Sequence, residues 1–260
     1  MLAVIEQLET FLCWSAIAAY LILIVKLFKI GLNLRYRFFV IYLISNVVGL
    51  VCLQLFSWPG KQYFHFWVIF QTVNWTLAAM MVIELMTLIL SEYPGLRITG
   101  KACLSGSIVL AMLASVATLG IDFPTEVFSQ KAIAIAAVVH RVILFNLVIF
   151  QFLMLIGLSW FPIRLSSNLK IHSGLLFGLL LCEGLANLFR NREGGQWNVA
   201  LTGGLFLVTI LALTTWSLKM SVEGELRGST RPSLVPSGRE RMLLLQMRAI
   251  DEALLRSLRK

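Results

Sequence analysis

Charge is scarce in this chain. Only 13% of its 260 residues are Asp, Glu, Lys or Arg, while 58% are apolar and the mean hydropathy is +0.85. A soluble domain carries roughly a quarter charged residues, so there is too little polar surface here to face water. An ordinary soluble enzyme is excluded. A basic leader is also lacking. Met1 to Thr10 holds Glu6 and Glu9 but no Lys or Arg, which argues against a cleaved signal peptide. The first apolar run ends at Lys26 and Lys29 and reads as a retained anchor.

Other absences narrow the chemistry. Cys13, Cys52, Cys103 and Cys182 lie in or at the ends of apolar runs with no CxxC spacing. They read as small apolar residues, not as disulfides or zinc ligands. All six prolines fall outside the apolar interiors: Pro59, Pro94, Pro124 and Pro162 between runs, Pro232 and Pro236 in the tail. Unbroken helices weigh lightly against a broken-helix transporter, although Gly49, Gly157, Gly178, Gly184, Gly203 and Gly204 leave points for bending. There is no Gly-rich phosphate loop, HExxH or GxSxG. The histidines sit at different depths and make no paired haem site. The seventh run holds no internal lysine for a retinal Schiff base. No cofactor, metal or catalytic residue is expected.

What is present is seven apolar stretches, at 10–30, 38–57, 64–90, 102–120, 132–160, 171–190 and 197–219. Each matches the about 20 residues a helix needs to cross a bilayer. The expected fold class is an all-α membrane protein, a seven-transmembrane helix bundle over 1–220. A flexible linker is expected at 221–238 and an amphipathic helix at 239–260. Placing the N-terminus outside puts 17 of the 22 basic residues in inner loops and tail. This is the positive-inside pattern, so the tail is cytoplasmic. Orientation accounts for the charge, and no nucleic-acid partner is implied; the lipid bilayer is the partner. Trp14, Trp58, Tyr63, Trp67 and Trp197 mark the outer interface, and Tyr36, Tyr93, Trp160 and Trp216 the inner one. Trp75 falls mid-span.

In the tail, Leu243, Met247, Ile250, Leu254 and Leu258 recur at helical spacing. Arg241, Arg248, Asp251, Glu252, Arg256 and Arg259 occupy other faces. Such a helix lies on the inner leaflet or binds a cytoplasmic protein partner.

Ionisable groups inside spans are costly and mark candidate sites. His140 and Arg141 lie about nine residues from the outer end of the fifth span, and Glu183 about seven from that of the sixth. Glu183 is therefore placed to neutralise Arg141 and accept from His140. His172, Glu183, Asn187 and Arg190 fall within about 60° of one helix face at 100° per residue, and His140 shares a face with Gln151. Three readings stay open: a structural clamp, a ligand or ion site facing a cavity, and a proton relay. A second polar group comprises Glu84, Ser45 and Asn46, with Gln71, Asn74 and Trp75 further out. Gly174 and Gly178 form a GxxxG, read as close packing inside the bundle or as a dimer contact.

Glu84-Leu85, Tyr93-Pro94-Gly95, Trp160-Phe161-Pro162, Asn168 with His172, and the terminal helix from Leu243-Leu244-Leu245-Gln246 to Arg259-Lys260 carry a resemblance. On these residues the chain resembles an uncharacterised family of bacterial seven-helix membrane proteins. The resemblance implies membrane location and helix count and no activity. More distantly, the layout is similar to seven-helix sensor regions that precede bacterial histidine kinases; here a short helix stands where the kinase would be.

The leading expectation is a sensor-like or interaction protein of a bacterial cytoplasmic membrane, with a small or lipophilic ligand in the outer half of the bundle. The alternative is a small-molecule or ion transporter or channel using Glu183, His140 and Arg141. An intramembrane enzyme ranks third, for want of motifs.

Overall fold

A computed structural model describes residues 2–55, 61–122, 128–160, 165–190, 196–225 and 238–258. Within these, the side chains of 2–6, 9, 61–64, 111–112, 114–122, 128–137, 158–160, 188, 190, 196–199, 238–241 and 258 are outside the description. Pro59, Pro124, Pro162, Pro232 and Pro236 fall outside it altogether.

Eight long helices hold most of the described residues: α1 Leu2–Lys29, α2 Arg37–Leu55, α3 Lys61–Ile89, α4 Pro94–Asp122, α5 Phe128–Trp160, α6 Ser167–Arg190, α7 Gln196–Lys219 and α8 Gly238–Leu258. Six helices, α1, α2, α3, α5, α6 and α7, contain described segments long and apolar enough to cross a membrane. In the expected fourth span, 102–120, the side chains of 111–112 and 114–120 are outside the description, and no candidate span is found among its described residues. Helices outrun the apolar runs where the flanks are good helix formers. Residues 2–9 extend α1 because Glu6 and Glu9 interrupt hydropathy without opposing the helix. α4 opens at Pro94, eight residues before its apolar run, because proline suits a first helical position.

The helices close into a ring. α1 packs on α2, α2 on α3, α3 on α5, α5 on α6, α6 on α7, and α7 returns to α1. α4 lies outside this ring against α3 and α5, and α8 packs on α4. Leu23, Leu27, Phe39, Leu43, Met81, Leu85, Leu144 and Leu147 fill the core. The outward face is equally apolar. Phe11, Ile22, Val25 and Phe28 of α1, Ile149, Phe152 and Leu153 of α5, and Leu207, Leu211 and Leu218 of α7 are exposed. Bare apolar surface on this scale suits hydrocarbon, not water. This is a multi-span α-helical membrane protein.

One end of the bundle carries Lys26, Lys29, Arg35, Arg37, Arg97, Lys101, Lys170 and Lys219 and is called the basic end here. There α1 stops in a Schellman turn. The Leu32 N–H reaches Leu27 O at 3.0 Å, the Gly31 N–H reaches Phe28 O at 3.2 Å, and Gly31 adopts φ 70°. α2, α4 and α6 begin at this end, and none has an acidic residue in its first turn. Their unpaired N–H groups are met in other ways. Glu84 of α3 accepts from Phe38 N (3.2 Å) and Phe39 N (3.4 Å) of α2. Asp251 of α8 accepts from Leu96 N of α4 at 2.8 Å. Ser166 caps α6 through Leu169 N at 3.2 Å.

Tyr36, Tyr93 and Trp216, expected at the inner interface, are turned into the protein and buried there. Gly174 and Gly178 have nothing within 4 Å of an added Cβ, so the GxxxG makes no close helix contact in this chain. On α8 the buried residues are Met247 and Asp251, while Ile250 is exposed. Leu243 and Leu254 are half-buried, so the inward face joins Asp251 to most of the expected apolar stripe.

Candidate functional site: an acid-lined cavity in the helix ring

α6 carries one carboxylate in an otherwise apolar stretch, Leu179-Leu180-Leu181-Cys182-Glu183. Such a group is tolerated only with a partner or a polar cavity, and Glu183 has both. Its Oε1 lies 3.1 Å from His140 Nε2 of α5. The His140 side chain is 5% exposed and that of Glu183 35%. On its other face the imidazole stacks on Trp75 of α3, with centroids 5.1 Å apart and planes at 26°. Trp75, His140 and Glu183 thus tie α3, α5 and α6 together at one level.

Glu183 opens onto a cavity of about 190 Å³. All six ring helices line it: Tyr20 from α1, Tyr42 and Asn46 from α2, Gln71, Asn74 and Trp75 from α3, Leu144 from α5, Glu183 from α6, and Thr202 and Thr209 from α7. Asn46 Nδ2 donates to Tyr42 O at 2.9 Å, which leaves its Oδ1 as an acceptor. Ser45 Oγ lies 3.4 Å from Asn74 Oδ1. Phe70 lies directly against Gly49, where any side chain would collide, so α2 and α3 approach closely at the cavity wall. The arrangement supplies one acid, one imidazole, amide and hydroxyl groups and several aromatic rings. It can hold a small polar or charged molecule, or accept and release a proton. Among the described residues no three His, Cys, Asp or Glu side chains cluster as a metal site.

The expected site residues separate. His140 and Glu183 come together. Arg141 is half-buried and has no ion-pair partner among the described residues. Gln151 is fully buried, but its Nδ-equivalent amide, Nε2, donates to Ser173 Oγ of α6 at 2.9 Å, away from the cavity. Asn187 is half-buried and does not line the cavity. The Arg190 side chain lies outside the described residues. His172 shares an arc with Glu183 but packs among Phe39, Tyr36 and Trp216, at 4.6, 5.3 and 5.6 Å between centroids. Glu84 is occupied by the α2 amides, whereas Asn46 faces the cavity and Ser45 bonds a cavity residue, so this trio also divides.

Sequence reasoning passed over Tyr20, Tyr42, Thr202 and Thr209. Tyr20 had a legible signal: tyrosine in mid-span, away from either interface. It also passed over a junction at the basic end. Glu225 Oε1 pairs with Arg35 at 2.8 Å, and its Oε2 accepts from Tyr36 and Asn168, each at 3.0 Å. Asn168 also donates to Ser221 O at 2.7 Å. Burial, then the charge of Glu225, pushes the Tyr36 phenol well above its ordinary value, so it stays a donor. Of the expected linker, 221–225 is therefore tied to the bundle.

Comparison with protein-family models, curated proteins and solved structures finds no match to this chain.

Proposed function

We propose that this protein is a carrier or channel for a small molecule or ion, with Glu183 and His140 at the heart of its path. The observation that supports it is the cavity: six helices surround it, and its one carboxylate is paired through a single hydrogen bond and left partly open. A purely structural clamp would bury both partners. The sensor reading has less support, because α8 is docked on α4, outside the ring that holds the cavity. In this proposal the chain spans a bacterial cytoplasmic membrane seven times, with α4 as the additional span. The N-terminus is outside and the basic end faces the cytoplasm, in keeping with the excess of Lys and Arg there. Cysteine labelling in intact cells should reach sites engineered at 5, 60, 125 and 193, but not at 33, 98, 166 or 235.

Transport is tested by currents from proteoliposomes on solid-supported membranes, challenged with small charged solutes. Saturable currents are expected from the full chain. They should be lost with Glu183→Gln and retained when 239–260 is removed. Currents no different from protein-free liposomes, together with a cellular phenotype caused by removing 239–260, would favour the sensor.

A further inference from the structure

We infer that the cavity is a binding site for a small organic monocation, an ammonium compound held between the Glu183 carboxylate and aromatic faces. The inference deepens the carrier reading and rests on it for its biological meaning, but not for its binding chemistry.

Charge is the first ground. Of the residues lining the cavity, Glu183 alone carries a formal charge, and no Lys or Arg lines it. His140 Nε2 engages one oxygen of Glu183 at 3.1 Å, and the second oxygen has no hydrogen-bond partner among the described residues. A carboxylate within a membrane span calls for a partner, and the cavity is the open side from which one can come.

Wall chemistry is the second. Tyr20, Tyr42, Phe70, Trp75 and Phe206 line the same space. Aromatic faces attract cations, most strongly where water is displaced, and cages of such rings recognise ammonium groups. A divalent metal ion would find a single carboxylate, since no three His, Cys, Asp or Glu side chains cluster among the described residues. A bare alkali ion would leave the aromatic walls without contacts. An organic cation meets both surfaces at once.

Polar groups on the wall are the third. Asn46, Gln71 and Asn74 line the same space as Glu183, and an amide oxygen accepts from an ammonium N–H or a ligand hydroxyl.

Size is the fourth. A cavity of about 150 Å³ accommodates benzene, so about 190 Å³ admits a molecule slightly larger, of roughly eight non-hydrogen atoms.

The test uses full-length protein in detergent, read by tryptophan fluorescence and thermal unfolding at constant ionic strength. Tetramethylammonium, choline and benzylammonium are each compared with a neutral counterpart: tert-butanol, 3,3-dimethylbutan-1-ol and benzyl alcohol. At least one cation should bind saturably, about tenfold or more tighter than its counterpart. Glu183→Gln should remove that preference, and Trp75→Phe should weaken binding while preserving it. If Glu183→Gln does not fold, the wild-type comparison decides alone. Equal binding of cation and counterpart, saturation by Na⁺ or K⁺ only, or no saturation with any probe would each overturn the inference. Cation binding without flux would defeat the carrier and leave this site standing. Flux of an anion or neutral solute without cation binding would do the reverse.

Discussion

Asp251 caps helix α4 from 155 residues away: its carboxylate accepts the Leu96 N–H at 2.8 Å. The contact needs Gly95, since a side chain there would strike the Asp251 carbonyl. The tail helix is thus held at one point by a charge-assisted hydrogen bond to a helix N-terminus, where a carboxylate is favoured. Asp251→Ala should weaken docking by about 0.5–2 kcal/mol, the usual worth of a cap. Gly95→Ala should weaken it by steric conflict, with Asp251 intact. Hydrogen exchange is expected to quicken across 238–258 in both variants and to stay unchanged in α1 and α2. Unaltered protection of 238–258 would show that the contact does not hold the helix.

Glu84 performs the same service for α2 from within the bundle. Glu84→Gln keeps a carbonyl oxygen for the Phe38 and Phe39 amides, so a modest loss of thermal stability is expected. Glu84→Leu leaves buried N–H groups unmet, which costs about 1–3 kcal/mol. Melting in detergent should therefore rank wild type above Gln and Gln above Leu. A Leu variant as stable as wild type would mean that these amides find water or another acceptor.

The Glu225 junction joins the loop after α1, the start of α6 and the end of α7. Its parts share one carboxylate, so their effects should not add. A double-mutant cycle between Tyr36→Phe and Asn168→Ala is expected to give a coupling energy of about 0.5–3 kcal/mol. Simple additivity in unfolding measurements would show that the two donors act independently.

How legible was this from sequence? The helices were, because hydropathy sets membrane spans and proline and glycine punctuate them. Pro94 and Gly31 sit at helix ends in the structure as such residues should. Depth arguments also brought His140 to Glu183, since both lie at similar distances from the same side of neighbouring antiparallel helices. What depth and helical arc cannot supply is rotation. His172 shares an arc with Glu183 yet turns to Trp216, because a helix packed on two sides divides a stripe among different neighbours. Arg141 follows His140 along α5, but one residue is a turn of about 100°, enough to take it off the Glu183 side. The tail helix illustrates another limit. Its spacing gives an apolar stripe that is mostly turned inward, but Asp251 shares that face because it meets a helix N-terminus elsewhere in the chain. Tertiary demand of that kind leaves no local trace.

The His140–Glu183 pair yields the sharpest prediction, because of the two partners the sequence offers Glu183, the structure joins it to His140 and not to Arg141. With Arg141 as counter-charge, Arg141→Gln should rescue Glu183→Gln. The structure places the hydrogen bond with His140, so that rescue should fail. Glu183→Gln retains an acceptor for the His140 N–H and should lose little stability. Glu183→Leu strands that N–H in a side chain only 5% exposed and should cost about 1–3 kcal/mol. Replacing His140 as well, with Phe, removes the stranded donor and keeps a ring for Trp75 to stack on. The Glu183→Leu, His140→Phe double variant should therefore melt above Glu183→Leu alone, although membrane hydrogen bonds are often worth only about 0.6 kcal/mol. Stability restored by Arg141→Gln and not by His140→Phe would return Arg141 to the site. It would also remove the uncompensated carboxylate on which the cation site depends.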